Sequence, residues 1–135
     1  MNKKLLVENL ILYIVNLAQI ARREGLLALE ENISFLNKNE RNALRNGLQL
    51  VIDGTDSIKI GEYFDNFLQN SKGFNKILLK IVKSGVMSIQ YGDNPRVILL
   101  IISSIVPKKY YPGNLFGKEE NINLSFEEIN KRIFE

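Results

Sequence analysis

Asp53-Gly54-Thr55-Asp56, reached through the apolar run Leu50-Val51-Ile52, is where this sequence comes closest to a catalytic motif. An apolar strand running into D-x-D-G-T would place an aspartate nucleophile for phosphoryl transfer at residue 51. That position is Val51, so the covalent chemistry has no nucleophile. A calcium loop opening at Asp53 fails for a similar reason, since its twelfth position must supply a bidentate carboxylate and is Phe64. What remains is a turn between two helices, with Asp53 and Gly54 in the bend and Thr55 or Asp56 capping the helix that follows. Other acids come as neighbours, Glu30-Glu31, Glu119-Glu120 and Glu127-Glu128. Adjacent residues on a helix point to different sides, which is poor geometry for shared acid–base work.

Cysteine and histidine are both absent. Thiolate nucleophiles, imidazole bases, disulfides and the usual zinc ligands go with them. No glycine pattern forms a phosphate cradle. The expectation is therefore a protein that is not an enzyme, with no catalytic residues, no cofactor and no metal. A chain without cysteine also fits a reducing cytoplasm.

The elements that must position any surface are helical by their periodicity. Apolar residues recur at helical spacing from about Leu5 to Phe35 without a proline, which predicts one long N-terminal helix. Within it, Leu10 to Val15 is apolar on every side and must be covered on more than one face, in the core or in an oligomer interface. Asn37-Lys38-Asn39 interrupts the pattern, and a short helix resumes over Glu40 to Leu50. A further helix follows Asp56, running through Ile60, Phe64 and Leu68 until Ser71-Lys72-Gly73. Phe74 to Ile89 keeps i, i+3, i+4 spacing and ends at Gly92, a C′ glycine. Asn94 then caps another helix with Pro95 at its first position and Arg96 after it. That last helix, Pro95 to Val106, is so apolar that it should be the most buried element. Lys108 to Leu124 reads as an exposed loop, and Ser125-Phe126-Glu127-Glu128 is a capping box opening a short helix that docks through Phe126, Ile129 and Ile133.

An apolar fraction of 45% and a charged fraction of 24% rule out disorder over most of the chain, and 135 residues suit one core. The 18 basic residues are dispersed among 15 acidic ones along the sequence, so a net charge of +3 offers little to a polyanion. Lys108-Lys109-Tyr110-Tyr111 mixes charge with rings as single-strand binders do, but one such patch leaves nucleic-acid binding a third and lesser reading. A membrane span needs about 20 mainly apolar residues. Leu10 to Val15 stops at Asn16 and Val97 to Val106 contains two serines, so no membrane insertion is expected; Glu8 and Asn9 likewise spoil the basic start as a signal peptide.

Two stretches carry more than spacing can. "ARREGLLALE" at residues 21–30, followed by "GLQLVIDGTD" at 47–56, resembles the cytoplasmic segment after the second membrane helix of MotA, the ion-channel subunit of the flagellar stator. "SGVMSIQYGDNPRVI" at 84–98 resembles that family's segment after its last membrane helix. Both blocks stand in the family's order and together span roughly residues 15 to 60 and 77 to 106. The family's four membrane helices have no counterpart here, so the resemblance implies a cytoplasmic, all-α, single-domain remnant that conducts no ions. It further implies that Arg22 and Glu30, with Arg23 beside them, match the charges by which the family engages the rotor switch protein. On one straight helix those two side chains would stand about 80° and roughly 12 Å apart, able to face one partner. Gly25 between them would let another backbone come close.

The expected organisation is a MotA-cytoplasmic-like helical domain over 1–106 with a loop and short helix over 107–135 packed on it. The expected role is contact with motor components, either the rotor switch protein or the stator's cytoplasmic region. The alternative is a helical scaffold that assembles with copies of itself.

Overall fold

A computed structural model describes residues 2 to 113 and, among these, every regular element is helical. The helices are α1 Lys3–Glu24, α2 Leu29–Ile33, α3 Ala43–Ile52, α4 Ser57–Gln69, α5 Gly73–Tyr91 and α6 Pro95–Ile105, with 3-10 turns at Leu26–Ala28 and Lys108–Tyr110. The capping box at Ser125 and the helix expected after it lie outside the described residues.

α1 is the centre of the bundle. Val7, Asn9 to Val15, Leu17 and Ala18 are all buried, as the all-round apolar run required, with α5 and α6 laid along the helix. Its 22 residues are long and apolar enough to cross a membrane, which the run Leu10 to Val15 alone did not suggest. Here the apolar surface is spent on the protein's own interior.

Contacts fix the directions of the helices. Lys3 lies over Phe74 and Ile14 fills the space beside Gly85, so α1 and α5 run parallel. Gly47 faces Val86 while the Thr55 carbonyl meets Gln90, so α3 runs with them. α4 runs back, its Asp65 reaching Lys83 at 2.7 Å, and α6 returns as well, delivering Tyr110 to Phe74 at the start of α5. Two glycines permit the closest approaches. A Cβ on Gly85 would sit 2.5 Å from Ile14 Cγ2, and one on Gly47 would sit 2.5 Å from Phe64 Cζ.

Three sequence expectations need correction. The helix predicted over Leu5 to Phe35 breaks at Gly25, whose φ of 91° and ψ of 164° no helix accommodates. Periodicity missed it because apolar residues continue on both sides of the break. α6 is not the most buried element: only Ile98, Leu99 and Ile102 are buried, while Val97, Leu100 and Ile101 stand 42%, 55% and 43% exposed. Apolar content says nothing of how many neighbours a helix receives, and α6 lies at the edge. Finally, Lys108 to Tyr111 is not a free loop, since Tyr110 and Tyr111 are half-buried against the core and Pro112 is buried.

Candidate protein-contact surface

Because α1, α3 and α5 run together, their C-terminal ends arrive at one end of the bundle, and each ends in a glycine of positive φ. These are Gly25 at 91°, Gly54 at 79° and Gly92 at 72°. Gly92 and Gly54 close their helices in the same manner. The Asp93 N–H donates to the Ser88 carbonyl at 3.0 Å, and the Thr55 N–H donates to the Leu50 carbonyl at 3.0 Å, each a six-to-one bond over a left-handed glycine. The next helices begin at once. Asp56 accepts from the Lys59 N–H at 3.0 Å, and Asn94 accepts from the Arg96 N–H at 2.8 Å with Pro95 in the first turn. Gln90 ties two of the corners together by donating to the Thr55 carbonyl at 2.7 Å. The motif elements Asp53, Gly54, Thr55, Gly92, Asn94, Pro95 and Arg96 are thus neighbours at one end, where they build its corners.

Gly25 belongs to this end for a different reason than its sequence suggests. Nothing lies within 4 Å of where its Cβ would be, so no backbone approaches there. The residue is glycine for its dihedral angles alone: its N–H donates to the Ala21 carbonyl at 2.9 Å and its own carbonyl accepts from Ala28 at 3.2 Å, turning the chain out of α1.

That turn rearranges the three charges. Arg22 and Arg23 are exposed in the last turn of α1, and Glu30 is exposed in the first turn of α2. They share no helix, so the 80° and 12 Å of a straight rod do not apply. Glu30 still follows Gly25 by a 3-10 turn, which at about 2 Å rise per residue keeps it within roughly 10 Å of the corner. Each charge also stands where the helix dipole favours its sign, basic at a C-terminus and acidic at an N-terminus, so local helix stability alone accounts for their signs. Their exposure on one end is what makes them available to a partner.

Three further residues of this surface escaped sequence reasoning. Leu27, Ile58 and Tyr91 are 71%, 82% and 61% exposed, one beside each corner glycine. Nothing in the sequence marks them, because an apolar residue's exposure depends on which helix faces the fold leaves uncovered. Among the described residues no three metal-capable side chains gather anywhere, and the strong pKa displacement belongs to the interior, where burial pushes the Tyr13 phenol up. The surface offers charge and exposed apolar side chains beside three glycine-turned corners.

A stretch of 53 residues is 47% identical to Motility protein A of Bacillus subtilis (strain 168). It covers 39% of this chain, and the match spans only 18% of the relative's length. No family model matches the chain, and no solved structure matches it.

Proposed function

We propose that this protein works by contact with other proteins of the flagellar motor, through the end that bears Gly25, Gly54 and Gly92. One observation carries the reading, the 53-residue stretch shared with a motility protein at 47% identity. The geometry supports it, since the described segments that resemble the MotA family, at 21–30, 47–56 and 84–98, converge on that end. Arg22, Arg23 and Glu30 supply charges of both signs, and Leu27, Ile58 and Tyr91 supply apolar area that a partner would cover. On this reading the partner is the rotor switch protein, and the bundle holds its three corners rigid so that little order is lost on docking.

Pull-down of the rotor switch protein by the wild-type chain and by Arg22→Glu/Arg23→Glu/Glu30→Lys tests this. Recovery should fall by roughly tenfold or more in the variant, as for loss of a few charged contacts in an interface. Equal recovery by both, or none by the wild type, removes the assignment.

A second reading has its own observation. Val97, Leu100, Ile101 and Ser104 form an uncharged stripe at i, i+3, i+4, i+7 along the outer side of α6, which suits helix pairing between copies of the chain.

A further inference from the structure

The lysines that looked dispersed in sequence are gathered in space. At the end opposite the three glycine corners, the starts of α1 and α5 meet the 3-10 turn that follows α6. Phe74 and Tyr110 stack edge to face with ring centroids 4.9 Å apart. Lys3 Nζ lies 5.3 Å and 5.7 Å from the two centroids, and Lys109 Nζ lies 5.0 Å from that of Tyr110. Lys4, Lys72, Lys76 and Lys108 stand exposed on the same three segments. Residues 2–7, 70–77 and 106–113, which build this end, contain no aspartate or glutamate at all.

These lysines oppose local helix preference. The first turn of a helix favours acids, because its orphan N–H groups form the positive end of the dipole. α1 has no acid there and carries Lys3 and Lys4; α5 has none either, and its N-cap is Lys72, which accepts no hydrogen bond from the helix. The first turns of α3, α4 and α6 hold no acid either, so that absence is general; what sets this end apart is the number of exposed lysines gathered on it. An anion is what the accumulated positive field would attract.

The apolar surface among the lysines chooses between anions. Leu5 is 46% exposed next to Lys4, and Phe74, Tyr110 and Tyr111 are only partly covered. Long lysine stems around tyrosine and aliphatic groups fit the headgroup boundary of a bilayer, where apolar parts sink and charged tips remain in water. The three segments hold no arginine, whose planar fork is the usual device for gripping nucleic-acid phosphates.

We propose that this lysine end adsorbs to an anionic phospholipid surface, lying on the bilayer without spanning it and directing the glycine-cornered end away from it. The proposal does not depend on the identity of the protein partner, because the two ends are opposite and can be altered separately.

Co-sedimentation of the full chain with vesicles tests it, one set of phosphatidylcholine alone and another with about a third phosphatidylserine. Pelleting is expected only with the anionic vesicles and should disappear at high salt. Lys4→Glu/Lys76→Glu/Lys109→Glu should lower the partition by roughly a hundredfold, while Arg22→Glu/Arg23→Glu at the other end leaves it unchanged. The milder Lys4→Gln/Lys76→Gln/Lys109→Gln should lower it less, and it serves if the reversed chain loses its helical circular dichroism. Absence of pelleting with anionic vesicles overturns the proposal. So does binding that survives both lysine variants, or retention on single-stranded oligonucleotide without retention on vesicles.

Discussion

At the scale of single residues, glycine decides this structure, and it does so in two unlike ways. Gly85 and Gly47 are small so that Ile14 and Phe64 can come close; Gly25, Gly54 and Gly92 are free to turn left. The two kinds respond differently to the same substitution. Gly85→Ala places a methyl group 2.5 Å from Ile14 Cγ2, an atom fixed on a branched side chain in the middle of the core. It should cost about 1–3 kcal/mol of stability by overpacking, seen as a lower urea midpoint. Adding Ile14→Ala in the same chain should recover part of that loss if the clash is its cause. The Gly85 contact was not legible beforehand, because Gly85 sits in an unbroken helical pattern and only the partner helix explains it.

At the scale of elements, the legible parts were those where the chain carries its own punctuation. Gly92 and Asn94-Pro95 stop and start helices by local chemistry, and the structure has α5 ending and α6 beginning at those residues. Asp56 caps α4 for the same reason. The break in the N-terminal helix was illegible by periodicity because Leu26, Leu29 and Ile33 continue an apolar pattern across it, and a lone glycine inside such a pattern is often tolerated. Its dihedral angles settle the matter, since φ of 91° with ψ of 164° suits glycine alone. Gly25→Ala should therefore destabilise by about 1–3 kcal/mol through backbone strain, although its side chain would touch nothing. The expected signature is a lower thermal midpoint that no neighbouring truncation rescues, in contrast to Gly85→Ala. Full stability of Gly25→Ala would mean that the corner can relax into a continuous helix.

At the scale of the whole molecule, the candidate surface was half legible. Arg22, Arg23 and Glu30 came from a resemblance, but their separation depended on a corner that only the fold reveals, and Leu27, Ile58 and Tyr91 depended on knowing which helix faces stay uncovered. The same holds for α6, whose apolar sequence suggested a central place and whose outer stripe is instead open. If that stripe joins two copies, sedimentation should give a dimer that Leu100→Lys/Ile101→Lys converts to monomer without loss of helicity. A wild-type monomer at high concentration would dismiss self-assembly through α6.

The proximity of Lys3 to Tyr110 has a practical corollary: more than a hundred residues of chain leave one place and come back to it. Neighbouring ends of this kind are what lets a helical unit be inserted into a host protein without stretching its joins. A reporter fused ahead of Asn2 would hang beside that seam, leaving the far corners unobstructed for a binding assay.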